Sequence, residues 1–219
     1  MTYTHDVDFT LNALLWARRV ANFAESCGYQ VGSSPPRPVS AHLGAVLADS
    51  ILQAGVNYRT VVRPRVERII QLFPEAATLT GTTAVVSNGL VADFLLWQHS
   101  EKIGRFLRLH QSFAWHGIED TGVLRAWLQL KCNRDLLLQI SGIGPKTVDY
   151  LCCLVGVDCI AVDRHVRAFA TRAGVDAKEY DTLRLTFSFA ADLLGASRRD
   201  FDSWIWDFVT VHSPPHGLL

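Results

Sequence analysis

Lysine is scarce in this chain: Lys102, Lys131, Lys146 and Lys178 are the only four among 21 basic residues, and arginine supplies the rest. With so few spent on the surface, each lysine becomes a candidate for a specific task. Net charge is missing as well, because 21 acidic residues balance the bases, so a polyanionic partner must be argued from local patches and not from bulk charge. Long hydrophobic runs are lacking near the middle, where the uncharged stretch from Tyr150 to Val157 has only eight residues, against roughly 18 or more for a membrane-spanning helix. No membrane association is expected. The five cysteines, Cys27, Cys132, Cys152, Cys153 and Cys159, are odd in number and show no CxxC spacing, which argues against a disulfide framework or a zinc knuckle and for a reducing compartment. No metal site is expected. The opening residues, Met1-Thr-Tyr-Thr-His-Asp-Val-Asp, carry acids where an export signal carries bases, so a cytoplasmic location is expected.

What the chain does have is apolar bulk: 49% of its 219 residues, with 6 Trp, 11 Phe and 5 Tyr. That suffices for one large core or two small lobes and excludes intrinsic disorder. No segment sustains period-two alternation, so the predicted fold is all-α. Leu11, Leu14, Leu15, Val20 and Phe23 recur at helical spacing, followed by a breaker cluster from Gly28 to Pro38, where a boundary is placed. Ser40 is positioned to cap a helix running to about Ala54, with Leu43, Val46, Leu47, Ser50 and Ile51 on one face. A helix from about Tyr58 to Phe73 carries Arg59, Arg63, Arg65 and Arg68 against the single Glu67, the densest basic patch in the sequence. Further helices are predicted over 82–97, 100–115, 123–130, 133–139, 145–155, 163–173, 180–194 and 199–212, with a loose tail from Pro214.

The most informative segment is Leu138-Gln-Ile-Ser-Gly-Ile-Gly-Pro-Lys-Thr. Gly142 and Gly144, either side of Ile143, let the chain turn sharply between two helices while leaving backbone N–H groups uncovered, and Pro145 suits the first position of the next helix. Bare amides before a helix N-terminus form a phosphate site, although the same residues also make an ordinary helix-helix turn. Lys146 falls in the first helical turn, where the positive end of the dipole disfavours an ammonium and favours the free amine of a nucleophile. Asp163 follows the apolar run Ile160-Ala-Val and opens the next helix, as an N-cap, as a catalytic carboxylate, or as both.

Taken with Val162-Asp-Arg-His-Val, this order of hairpin, lysine and aspartate resembles the signature of the helix-hairpin-helix DNA glycosylase superfamily, over about Ser40 to His212. The resemblance implies two helical lobes flanking a DNA-binding cleft, a helical barrel over 40–157 with its hairpin at 141–145, and a second lobe from 1–39 plus 158–219. It implies a base-excision repair enzyme, a DNA N-glycosylase with AP lyase activity, acting as a monomer on double-stranded DNA that carries a damaged or mismatched base. Lys146 would be the nucleophile and Asp163 its electrostatic partner, the lysine marking the bifunctional members. Ser50-Ile-Leu-Gln-Ala is similar to the segment that presents a glutamine to DNA, which makes Gln53, with Asn57, Tyr58 and Arg59 beyond it, the DNA-contacting candidates beside the hairpin. No cysteine lies beyond Cys159, so the four-cysteine iron-sulfur cluster of some branches is excluded, and Arg164 stands where the endonuclease-III branch has threonine. Lys146-Thr-Val-Asp149 is similar to the turn of 8-oxoguanine glycosylases, and an oxidised base is the expected lesion. A monovalent cation on the hairpin carbonyls, common in that family, is the only cofactor the resemblance suggests.

For the base pocket, Trp204 and Trp206 near the end, or Trp16 and Phe9 near the start, are candidates to stack on an extruded base, with Asp207 to read its edge. All four aromatics also fit a core at helical spacing. Two other readings stay open: a monofunctional mismatch or alkylated-base glycosylase, and a non-catalytic module that keeps the hairpin for phosphate contact alone.

Overall fold

Alanines, not leucines, form the buried face of the first helix. In the computed structural model, which describes residues 3–32 and 35–212 with side chains from residue 10 onward, helix α1 (Tyr3–Ser26) buries Ala13, Ala17, Val20, Ala21 and Ala24, whereas Leu11, Leu14 and Leu15 are exposed. The reason lies in its partner. Helix α11 (Tyr180–Leu194) packs along α1 and offers Ala190 and Ala191, so small side chains on both surfaces let the two backbones approach closely.

Between them in the chain come α2 (Leu43–Leu52), α3 (Arg63–Leu72), α4 (Leu79–Ser87), α5 (Val91–Leu95), α6 (Ser100–Trp115), α7 (Thr121–Leu128), α8 (Lys131–Leu137), α9 (Pro145–Leu154) and α10 (Arg164–Arg172), and α12 (Arg198–His212) closes the set. The described residues hold twelve α-helices and no strand, an all-α fold. No helix among them is long and apolar enough to cross a membrane. The tail expected to be loose, from Pro214, lies outside the described residues.

Three local readings are corrected. Ser40 does not cap α2: the cap is His42, whose Nδ1 accepts from the Ala45 amide at 3.1 Å while its Nε2 meets the Phe73 carbonyl at 2.9 Å. The helix expected over 58–73 opens as a wide π turn, Tyr58–Val62, before α3. The helix expected over 82–97 is two, because Thr78 caps it earlier and Asn88-Gly89, with Gly89 at φ +70°, ends α4.

The chain divides into two compact units, one of residues 38–157 and one of 1–37 with 158–219. In the first, α2 is buried on every side, including Asp49 and Ser50, and α3, α6 and α9 pack around it. Such a helix carries no polar stripe, so its one carboxylate must be satisfied internally. In the second, Phe169, Phe187, Phe201 and Ile205 are fully buried among α1, α10, α11 and α12. Both chain ends of that unit meet the start of α12: Arg199 donates its amide to Asp158 Oδ1 at 3.0 Å and its guanidinium to the Arg37 carbonyl at 3.1 Å.

Candidate functional site

The hairpin between α8 and α9 follows from its glycines. Gly142 adopts φ +85°, open to glycine at no cost, and Gly144 is the extended N-cap before Pro145. Ile143 between them is buried and donates its amide to the Ile140 carbonyl at 2.9 Å, which anchors the turn to the core. No hydrogen bond to another group of the described residues uses the amides of Gly142 and Gly144. From α6, Arg108 donates to the Ser141 carbonyl at 3.2 and 3.0 Å, and the Arg105 side chain lies over Gly142, where a Cβ would strike it.

In the first turn of α9, Lys146 is half-buried. Its ammonium donates to the side-chain carbonyl of Gln53 and stands 5.4 Å from the centre of the Tyr150 ring. Tyr150 in turn donates its hydroxyl to Asp49 Oδ1 at 3.0 Å, and Tyr58 donates to Asp49 Oδ2 at 3.2 Å. Asp49 was not singled out by sequence, since one carboxylate in an apolar helix gives no signal until its two tyrosines are seen to converge on it. Gln53 ends α2 and its Nε2 donates to the Ser50 carbonyl at 3.3 Å, so both ends of the amide are engaged. The loop around it is fixed by Lys102, which donates to the carbonyls of Leu52 at 2.6 Å and Ala54 at 2.8 Å and lies 4.5 Å above the Trp97 ring. Burial, then the nearby Arg105 and Arg65, lower the pKa of Lys102.

The other candidates of this unit divide between exposed positions and bonds within the chain. Asn57 accepts from the Thr60 amide at 3.1 Å and so caps the π turn, and Arg59 is exposed beside it. The basic patch is largely internal wiring: Arg65 donates to the carbonyls of Val61 and Leu96, Arg68 donates to that of Asp93, and Arg63 pairs with Glu67. The first two tie α3 to the α5 end.

In the other unit, Asp163 is the N-cap of α10. Its Oδ1 accepts from the amides of His165 at 2.7 Å and Val166 at 3.0 Å, and its Oδ2 meets His165 Nδ1 at 2.8 Å. His165 is held edge-on to Trp206, ring centres 5.6 Å apart. Trp204 stacks between Phe201 and Phe208 and belongs to the core, with one side towards a hollow of about 200 Å³ lined by Tyr29, Gln30, Pro36 and Asp200. Trp16 packs against the same core, Asp207 is exposed, and the Phe9 side chain lies outside the described residues. No chemistry is assigned to Trp204 or Trp16 by the core they pack against.

No family model, curated protein or solved structure matches the chain. Each candidate is therefore judged on the geometry of its own unit: a half-buried amine behind a hairpin in one, a carboxylate fixed at a helix start in the other.

Sequence also gave no hint of Asp202. It is buried on α12, accepts from Arg37 at 2.7 Å, and takes a further hydrogen bond from the Ala161 amide. Burial raises its pKa from 3.8 to about 6 against the pull of Arg37, and the charge of Asp163 adds to the rise. The unfolded chain therefore releases this proton near pH 4 and the folded chain only near pH 6. Over that interval the folded state holds the extra proton, so this group's contribution to stability falls as pH rises. At about 1.4 kcal/mol per unit, the loss is about 3 kcal/mol. Asp202→Asn, which mimics the neutral form, is expected to gain about 3 kcal/mol relative to wild type between pH 4 and pH 7. Denaturant unfolding of both proteins at the two pH values measures it, and a difference that does not change with pH would mean an ordinary carboxyl.

No group of three or more His, Cys, Asp or Glu among the described residues is placed to hold a metal ion.

Proposed function

We propose that the protein is a base-excision DNA glycosylase with AP lyase activity, a two-lobed helix-hairpin-helix enzyme acting on duplex DNA that carries a damaged or mismatched base. The observation that carries this reading is the placement of Lys146: half-buried in the first turn of α9, behind glycine amides open to a phosphate, with its amine held by a neutral amide. A hairpin that contacts phosphate alone has no use for a lysine drawn away from solvent onto Gln53. A base inside duplex DNA is out of reach of side chains, so the nucleotide is first extruded, at a cost of a few kcal/mol. The hairpin amides grip the backbone while this happens.

The chemistry assigns the two groups separate steps. Asp163, fixed by two amides and His165, stabilises the positive charge that grows on the sugar as the base departs. Lys146, as the free amine, attacks C1′ while the base leaves with the C1′–N bond pair and takes up the amine's proton; the nitrogen lone pair of the resulting aminal then breaks the C1′–O4′ bond, O4′ takes a proton from solvent, and an iminium Schiff base on the opened sugar remains. Abstraction of a proton from C2′ then expels the 3′ phosphate and cuts the strand.

A second reading has an observation of its own. Asp163 makes the two amide hydrogen bonds of a helix cap, which suits a binding module or an enzyme in which Lys146 is not the nucleophile. A panel of duplexes with oxidised, alkylated and mismatched bases, scored for cutting with and without alkali, separates them. Cutting without alkali is expected for at least one oxidised base. Cutting only after alkali would make the enzyme monofunctional, and binding without any cutting would leave the module.

A further inference from the structure

Beside the hairpin, a stretch of surface that the proposed chemistry does not use runs along α6. Trp115, on its last turn, is 86% exposed, far beyond what a ring of that size normally shows to water. It borders an open groove of about 390 Å³ whose walls include Arg108, Gln111, Ser112, Gln139 and Ser141. The groove starts at the hairpin itself, because Ser141 is the residue before Gly142 and Arg108 is bonded to its carbonyl. From Arg108 to Trp115, seven residues of helix span about 10 Å. The path therefore leads from the hairpin amides, past a guanidinium, between two glutamine side chains, to an uncovered indole face.

No acidic side chain lines it, and the charge of Arg108 rests on a neutral carbonyl, not on a carboxylate. A groove with a cation at one end, amide donors and acceptors along it and a flat aromatic at the other matches a nucleic-acid strand better than an apolar peptide, which would find one ring and mainly polar walls. An indole stacks on a base only if that base's face is free, so the occupant is unpaired.

We infer that the α6 groove beside the hairpin binds an unpaired nucleotide of the DNA strand gripped by the hairpin, its base stacked on Trp115 and its phosphate near Arg108. The inference rests on the proposed hairpin grip, and it gives the protein a preference for damage next to single-stranded DNA, such as a gap or a frayed end.

The test uses the full chain and four duplexes without a damaged base pair: blunt, with a short 5′ or 3′ thymidine overhang, and with an abasic overhang of the better polarity built from tetrahydrofuran residues, which keep the phosphates, remove the bases and cannot form a Schiff base. Fluorescence anisotropy at fixed salt is expected to show the thymidine overhang binding about tenfold more tightly than the abasic one. Trp115→Ala should erase that difference and leave blunt-duplex affinity unchanged, while Trp115→Phe keeps most of it. Equal affinity for thymidine and abasic overhangs in wild type, or a base-dependent gain that survives Trp115→Ala, overturns the inference with the hairpin grip intact. Failure to bind even the blunt duplex overturns the grip itself. Sedimentation of both proteins completes the test: a dimer dissolved by Trp115→Ala would assign the ring to a second copy of the chain and also overturn the inference.

Discussion

Lys146→Gln is expected to reduce the borohydride-trapped protein-DNA adduct by about two orders of magnitude or more, with binding of a damaged duplex retained. Borohydride reduces only an imine, and an imine requires the amine. Glutamine is chosen because its amide can still donate to Gln53, as the lysine does, so the polar cluster that continues through Tyr150 to Asp49 keeps its members. Removing the cluster would confuse the result: Asp49 is buried and receives two tyrosine hydroxyls, and a buried charge that loses its partners costs several kcal/mol. Trapping that persists in Lys146→Gln would move the nucleophile elsewhere. Lys102 is a poor substitute, its ammonium being spent on two carbonyls at the end of α2, and Lys131 is paired with Asp135 at 2.7 Å.

Asp163→Asn is expected to lower base removal by two to three orders of magnitude while the protein stays folded. Asparagine caps a helix about as well as aspartate, so the bonds to the His165 and Val166 amides survive, and the stability loss should stay below about 1 kcal/mol. What the substitution deletes is the charge that opposes the cationic sugar. Asp163→Ala removes cap and charge together and is expected to add a stability loss of about 1 kcal/mol with no further loss of activity beyond that of asparagine. Single-turnover base release, read beside thermal unfolding of the three proteins, separates the two roles. If base release follows stability across the series, with asparagine close to wild type, the carboxylate is a cap and nothing more.

The all-α character was legible because helical spacing recurs throughout and period-two alternation does not. So were the cap at Asp163 and the hairpin glycines, since each depends on neighbours one to three residues away. What escaped notice depends on partners distant in sequence. Arg65 and Arg68 look like surface charge until the carbonyls of Leu96 and Asp93 are seen beside them. Asp202 reads as one acid among several on an amphipathic helix, and only its pairing with Arg37 shows why it can be buried. The face of α1 was read only in part for a simpler reason: Val20 and Phe23 do pack on the core, but Leu11, Leu14 and Leu15 are exposed, because the surface turned to α11 is made mainly of alanines.

That close-fitting pair also constrains the order in which the protein can assemble on the ribosome. Residues 38–157 are one continuous segment with a core of their own, whereas the other unit is built from the two ends of the chain. The middle segment is complete as a unit once Val157 has emerged, but α1, synthesised well before α11, must wait until that helix appears. Throughout that interval its buried face, Ala13, Ala17, Val20, Ala21 and Ala24, has nothing from α11 to cover it. Alanine suits a helix left in that state: it holds helical conformation better than any other residue and offers little greasy surface to aggregate. The same small side chains that permit close packing in the finished protein make the nascent helix tolerable before its partner exists.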